Sequence, residues 1–472
     1  MYLGIDLGTS GLRALLVDDE GTPLGSAERH YEASHSDTGW SEQNPADWIA
    51  ALEGVVQELG SKHSEFADLK GIGIAGHMHG ATLLDKKGDV LRPCILWNDT
   101  RSHQEAARLD AAKQVRKLSG NIVFPGFTAP KLEWVRKNEP ERFKKIAKVL
   151  LPAGYLNFYL TGEYVADLSD SAGTSWLDVG KRDWSETLLA AGHMRRNQMP
   201  YLVEGSQKAG ILRGDLAKKW GVKEDVVVAG GAGDNAAAAC GMGSLNEGEG
   251  FISLGTSGVL LAARDGYRPA PETALHTFCH AVPNRWYQMG VMLSATNSLN
   301  WFARITGTKP AELTNRLGET LRAPGKSVRF LPYLSGERTP HNDAEIRGSF
   351  IGLSTHTDRE DLTRAILEGV AFGLRDSYEA LRGTGARFEQ LFAIGGGAAS
   401  GYWLKTIATV LDVPLVIPGG GEFGAALGAA RLGISAAIGA SPQTIMQTPD
   451  VKREILPEAQ HKAAFDDAYQ AF

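Results

Sequence analysis

The sequence predicts an α/β protein built as two related halves, each carrying a sheet of mixed strand pairing. Three observations carry this expectation. The chain has 472 residues, enough for more than one hydrophobic core. The pentapeptide Leu-Gly-Thr-Ser-Gly occurs twice, at Leu7–Gly11 and Leu254–Gly258, each time between β-rich runs. A second pair of segments, Leu69–Gly76 and Leu391–Gly397, ends an apolar run on glycine, and each follows a helical stretch.

In chain order, Leu3–Val17 reads as two strands joined by a Gly-Thr-Ser-Gly turn. Ala46–Gly60 has the spacing of a helix, and Leu69–Gly76 the continuous apolar run of a buried strand. Further helices are expected at Ser102–Leu118, Lys131–Lys137, Pro140–Lys148 and Pro152–Tyr159. Val226–Gly233 is a strand running into a glycine turn, and Ala236–Gly241 a short helix of small residues. The boundary falls near Met242–Asn246, giving domains 1–243 and 244–472. In the second half, Gly250–Ala262 repeats the opening hairpin and Arg359–Arg382 repeats the helix. Gly424–Ala440 is apolar, rich in small residues and interrupted by Arg431, the pattern of a closely packed internal helix. Glu458–Phe472 reads as an amphipathic helix.

Apolar residues make up 43% and charged residues 22%, which excludes wholesale disorder. With 49 basic and 55 acidic residues the net charge is −6, so no basic field attracts nucleic acid or an anionic membrane. Bound phosphate must therefore be held by local geometry. Cys94, Cys240 and Cys279 fit neither a disulfide framework nor a CxxC metal site, and they point to reduced thiols in a cytoplasmic protein. The opening MYLGIDLGTSG has no basic leader or long apolar run, and no stretch suits a membrane span. Glycine is abundant, 56 of 472 residues, and it clusters after β-like segments where backbone-lined ligand loops form.

Four segments can carry chemistry. In Asp6–Gly11 a strand delivers an acid into a tight turn whose N–H groups can converge on phosphate oxygens. Asp6 could hold Mg²⁺ and Arg13 could add charge, or the turn could be a plain hairpin. The second copy has Ser253 in place of Asp6, and two such turns with one acid suit a nucleoside triphosphate and a metal. Neither turn is a Walker loop or a Rossmann fingerprint. In Gly230–Asn235 a glycine-framed Asp234 could accept a proton from an attacking hydroxyl, or could cap the following helix. Gly395-Gly396-Gly397 leaves flat backbone for a purine, or meets a turn's need for positive φ. In Gly76–Gly80, His79 could bond a polyol or be structural. Trp97, Asn98, Asp99 and Arg101 offer an aromatic face and polar groups of the sort sugars use.

Taken together, these segments resemble the FGGY family of carbohydrate kinases. The resemblance runs from Met1 to about Leu432 and includes WSEQNP at Trp40–Pro45, GHMHGATLLD at Gly76–Asp85 and ILWNDTR at Ile95–Arg101. It continues through AGGAGDNAA, SLGTSGV, FLPYLSGERTPH at Phe330–His341 and GGGAASGYW, with family signatures at Gly126–Lys137 and Gly348–Glu368. It implies two RNase-H-like domains of the actin, hexokinase and Hsp70 ATPase type, with a cleft between them. It implies phosphoryl transfer from ATP with Mg²⁺, and the Met78-His79-Gly80 stretch resembles members that act on D-xylulose. Asp234 then matches the catalytic base, and Met78, His79 and Asn235 match sugar contacts. Thr9, Ser10 and Arg13 match the first phosphate turn, Thr256 the second, Gly397 and Gly401 the adenine site, and Asp6 the acid near the metal. At Gly401 glycerol kinases carry an asparagine. The partners expected are ATP and the sugar, with no nucleic acid and no membrane, and a homodimer stays open. The alternatives are a family member acting on ribulose, glycerol or gluconate, and an actin- or Hsp70-like ATPase working on protein partners.

Overall fold

The fold is described from a computed structural model covering residues 1–324, 328–419 and 424–472. The chain forms two compact units. One comprises Met1–Leu245, Phe278–Trp286 and the described part of 423–448; the other holds the remaining described residues.

The first unit is organised by one mixed sheet. Its strands lie in the order Lys208–Ile211, Val227–Ala229, Gly71–Gly76, Tyr2–Leu7, Gly11–Val17, Pro23–His30. Tyr2–Leu7 runs antiparallel to Gly11–Val17 and parallel to Gly71–Gly76, which runs parallel to Val227–Ala229. The second sheet repeats the plan. Val451–Ile455, Leu415–Pro418, Leu391–Ile394, Gly250–Leu254, Gly258–Arg264 and Trp286–Met292 follow in that order, with His276–Cys279 at the far edge. Its hairpin is antiparallel, and its next two ladders are parallel. The duplicated pentapeptide thus sits at the same topological place in both sheets. Leu69–Gly76 and Leu391–Gly397 each contribute the neighbouring strand of a mixed sheet, as the sequence predicts, and the structure adds that its pairing is parallel.

Period-two alternation gives the first strand two apolar faces. Leu3, Ile5 and Leu7 join Trp48, Leu52, Val55 and Leu59 of the helix Pro45–Lys62. That helix starts where Asn44 accepts from Ala46 N–H and Pro45 fixes the first turn. On the other face, Tyr2 packs with Leu15, Val17, Ala426, Leu427, Ala430 and Ile434. These last four lie on the helix Gly424–Ile438, which comes late in the chain. A Cβ at Gly4 or Gly73 would overlap the carbonyl oxygens of Ala426 and Ala429, so only glycine lets helix and sheet approach this closely. The same helix packs against Asp234–Met242, where Gly428 leaves no room for a Cβ beside the Ala237 carbonyl. Arg431 donates to the Cys240 and Gly241 carbonyls at 3.1 and 2.9 Å, neutralising the end of that helix.

Several elements depart from expectation. Ser102–Leu118 is two helices, His103–Asp110 and Lys113–Ser119. Pro140–Lys148 is a single turn of helix, Pro140–Phe143, and Lys148 begins a strand. The signature helix starts earlier than predicted and spans Thr128–Asn138. Beyond Leu432, where the resemblance ends, the late helix and the helix Ala459–Ala471 form as predicted, and the strand Val451–Ile455 is an element the sequence reading does not foresee. All three cysteines are buried and free. Among the described residues no helix is long and apolar enough to cross a membrane.

Candidate active site

The turn after the first strand is braced from behind. The Gly8 carbonyl accepts from the Tyr31 hydroxyl at 2.7 Å, the Thr9 carbonyl from Gln43 Nε2 at 2.6 Å, and the Ser10 carbonyl from Tyr31 N–H at 3.3 Å. With its carbonyls held back, the turn presents the opposite polarity, and the Thr9 and Ser10 N–H groups have no acceptor among the described residues. This is the arrangement that backbone anion sites use. Thr9 Oγ1 accepts from the Trp97 indole at 2.9 Å, which leaves its own proton available to donate. Arg13 lies opposite Asp6 in the hairpin, and its guanidinium meets Glu28 at 3.1 Å.

The sheet brings two acids to one edge. Asp6 is in register with Ala75, and Ala75 with Ala232, two residues before Asp234. Both acids therefore stand at the carboxyl ends of parallel strands, where open α/β sheets bind ligands. Asp234 is the first residue of the helix Asp234–Met242, and Gly233 is its cap. The capping alternative therefore fails in its simple form. The Asp234 carboxylate does accept from Asn235, at 2.7 Å from N–H and 2.9 Å from Nδ2. Burial raises the Asp234 pKa, and the Asn235 bonds oppose the rise. Burial, then the Asp234 charge, pushes Asp6 up to about 7, with Arg13 pulling the other way. A cation fits beside such a carboxylate. Among the described residues no three acid, histidine or cysteine side chains cluster as a metal cage, so a metal here would take most ligands from phosphate and water, as Mg²⁺ does.

Behind Asp234 lies a bracket that the sequence reading missed. The Ser169 hydroxyl accepts from Gly233 N–H at 3.1 Å and donates to the Asp167 carboxylate. Asp167 also takes the N–H groups of Ser169 and Asp170, at 2.6 and 3.2 Å. Burial pushes Asp167 up to about 7 and Asp170 well above the carboxylate range, the latter also through the charges of Asp167 and Asp234. The run Asp167-Leu168-Ser169-Asp170-Ser171 was its only trace in the sequence, and it matches no motif.

The two histidines have different settings. His77 is buried against Trp48, and burial pushes its pKa down to about 3, so it is neutral. Met78 is buried too, with Gly233 and Gly173 tight against its side chain. His79 has a positive φ of 69°, and Nδ1 lies 2.8 Å from the Gly173 carbonyl. A carbonyl only accepts, so Nδ1 carries the hydrogen and Nε2 is the ring's acceptor. The ring stacks on Phe127 at 4.4 Å. The sugar-facing role expected for Asp99 and Arg101 is overturned. Both are buried in an ion-pair network, Arg101 to Asp99 at 2.6 Å and to Glu42 at 2.6 Å, with the guanidinium 3.6 Å from the Trp40 ring centroid.

In the second unit, the turn with Thr256 is braced in the same sense. The Gly255 carbonyl accepts from Thr296 N–H and Oγ1, at 2.9 and 2.7 Å, and the Thr256 carbonyl from Ala295 N–H at 2.9 Å. Next to it is a cavity of about 650 Å³, lined by Asn300, Thr314, Asn315, Gly397, Gly401 and Arg453 among others. Of the three glycines, Gly395 answers the turn's need, with φ of 87°, and Gly397 lies against Leu254. Gly401 opens the helix Gly401–Leu411 below Ser400, whose hydroxyl accepts from Trp403 N–H. A cavity of this size with amide side chains and exposed backbone can hold a nucleoside.

Comparison with known proteins agrees with these observations. Residues 1–241 match the N-terminal domain of the FGGY family of carbohydrate kinases and residues 250–437 its C-terminal domain. The xylulose kinase of Escherichia coli (strain K12) is 45% identical over 478 residues, spanning 100% of this chain and 98% of that one. A crystal structure of a xyloylose kinase from Brucella ovis is 58% identical with a TM-score of 0.98, covering 100% of this chain and 97% of that chain. A xylulose kinase from Rhodospirillum rubrum is 28% identical with a TM-score of 0.92, covering 100% and 97%. The two α/β domains share the sugar kinase and actin-like fold of these neighbours. Two family models covering nearly the whole length, together with full-length relatives, show that the chain belongs to the FGGY family of carbohydrate kinases.

Proposed function

We propose that the chain transfers the γ-phosphoryl group of ATP to the C5 hydroxyl of D-xylulose, giving D-xylulose 5-phosphate and ADP. The observation that carries this reading is the half-buried Asp234 carboxylate at a strand end, with Met78 packed against the preceding Gly233. Asp234 orients the hydroxyl and accepts its proton. An ordinary aspartate is far too weak a base to deprotonate an alcohol early. The proton therefore leaves late, as the phosphoryl group closes on the oxygen in a loose transition state. Burial moves Asp234 toward better basicity, and Asn235 holds its orientation. His79 Nε2 accepts from a sugar hydroxyl, and Met78 walls the apolar edge of the sugar.

On this reading residues 1–243 carry sugar binding, the first phosphate turn and the base, and residues 244–472 carry the second phosphate turn and the adenine site. Thr9, Ser10 and Arg13 receive phosphate oxygens in the first domain and Thr256 in the second. Gly397 and Gly401 line the adenine. Mg²⁺, held near Asp6, would offset the charge that develops on the phosphoryl oxygens. The enzyme works in the cytoplasm on small molecules alone.

An acceptor panel tests the reading. D-xylulose, D-ribulose, glycerol and D-gluconate are compared by coupled detection of ADP. D-xylulose is expected to give the highest kcat/KM. Equal or higher kcat/KM on another acceptor, or no stimulation by any sugar, overturns it.

A further inference from the structure

The signature helix Thr128–Asn138 carries a lysine that no ion pair among the described residues explains. Lys131 is fully buried, at 0% exposure. A buried ammonium ordinarily sits against a carboxylate. Lys131 instead donates to a neutral group, the backbone carbonyl of His79, at 2.8 Å. The Thr128 hydroxyl, one turn back on the same helix, donates to the same carbonyl at 3.2 Å. Phe127, immediately before the helix, lies flat under the His79 ring. Three consecutive features of one segment therefore converge on one residue of the acceptor loop.

His79 needs such support. Its φ of 69° is in the left-handed region, which residues with a Cβ adopt uncommonly. The reward is direction: with the backbone turned this way, Nδ1 reaches the Gly173 carbonyl, and a Cβ on Gly173 would overlap the ring. The donors on its carbonyl fix the plane of the His79–Gly80 peptide, and with it the stretch of loop from which the imidazole projects.

We infer that Lys131 is a positioning residue for sugar recognition, holding the His79 carbonyl so that the imidazole keeps its one productive orientation. The inference rests on the proposed sugar role of His79. It also accounts for the burial of an amine that meets no carboxylate among the described residues, since its protonated form bonds a carbonyl more strongly than a neutral donor does. Burial pushes the Lys131 pKa down to about 7, with Cys94 and Asp99 opposing the fall and Arg101 adding to it.

Two variants and two readouts test this. Lys131→Met keeps the length and removes the shorter of the two bonds to the carbonyl, leaving the Thr128 hydroxyl, and Lys131→Gln keeps an N–H. Lys131→Met is expected to raise KM for D-xylulose at least tenfold, or about 1.4 kcal/mol, while KM for ATP changes less than twofold. Lys131→Gln is expected to recover part of that loss. An unchanged sugar KM overturns the inference. So does a parallel loss in both KM values and kcat, which would mark Lys131 as a packing residue. The second readout needs no substrate. The imidazole ¹⁵N resonances of His79, assigned by their loss in His79→Gln, are expected to shift in Lys131→Met and largely return in Lys131→Gln. An identical spectrum in Lys131→Met overturns the positioning role even if the chain phosphorylates a different acceptor. Failure of wild-type protein to phosphorylate D-xylulose overturns the proposed substrate and leaves the spectrum to decide this point.

Discussion

Replacing Asp6 by asparagine is expected to make the protein more stable near pH 8, at the expense of function. Burial and the Asp234 charge push the Asp6 carboxyl from 3.8 up to about 7. Roughly three pH units at about 1.36 kcal/mol each correspond to about 4 kcal/mol. The sign follows from proton uptake. A raised carboxyl holds its proton longer in the folded chain, so its contribution is fully present below about pH 4 and lost as pH rises through about 7. Asparagine carries no such dependence. Asp6→Asn and wild type should therefore melt together near pH 4, if both remain folded there, and diverge by up to about 4 kcal/mol in favour of the variant at pH 8. The assay is thermal or urea unfolding across pH 4–8 without nucleotide or divalent ion. Adding Mg²⁺ with ATP should narrow the gap, since a ligand bound only by the folded state stabilises it. A variant no more stable than wild type at pH 8, or a gap that does not shrink toward pH 4, refutes the reasoning.

Three further outcomes are expected. Asp234→Asn should lower kcat by about 10²–10⁴ with KM for ATP changed less than twofold, measured by steady-state kinetics; near wild-type turnover removes Asp234 as the base. Trp97→Phe removes the indole N–H from Thr9 Oγ1, a bond of about 0.5–1.5 kcal/mol, so KM for ATP should rise about 2- to 12-fold with the sugar KM steady; an unchanged ATP KM detaches Thr9 from nucleotide binding. Gly428→Ala places a methyl group against the Ala237 carbonyl and should cost about 1–3 kcal/mol or more by overpacking, read as a lower melting temperature; a variant that melts with wild type shows that the helices have room to part.

Much of this fold is written in local patterns. Two copies of Leu-Gly-Thr-Ser-Gly reveal the doubled hairpin because a tight turn between strands constrains its own residues. The flanking apolar runs reveal the parallel neighbours because buried strands need continuous hydrophobicity. The departures arise where tertiary contact decides. Ser102–Leu118 has helical composition throughout, yet Ala111 and Ala112 break it, and nothing in two alanines marks a break. Asp99 and Arg101 looked like sugar ligands because polar residues beside Trp97 suit that role, and only burial and Glu42, far away in sequence, show them satisfied structurally. The candidate site was legible residue by residue, but the pairing of Asp6 with Asp234 depends on register across an intervening strand. Lys131 was hidden within a recognised signature. Its significance lies in its meeting a backbone carbonyl and, among the described residues, no carboxylate, a property of three-dimensional surroundings.

The late helix Gly424–Ile438 sets a condition on synthesis. It covers one face of the sheet that begins at Tyr2, and glycines on both partners leave no slack for a substitute. The amino-terminal sheet, complete at Gly233, therefore waits with that face open to water until the helix that ends at Ile438 has left the ribosome, and its first strand waits for more than four hundred residues. A fragment ending near Leu245 carries the whole first sheet but not its lid, and should be sticky when expressed alone. For this chain, cutting at the sequence boundary does not yield two independent pieces: the tail of the polypeptide belongs to the architecture of its head.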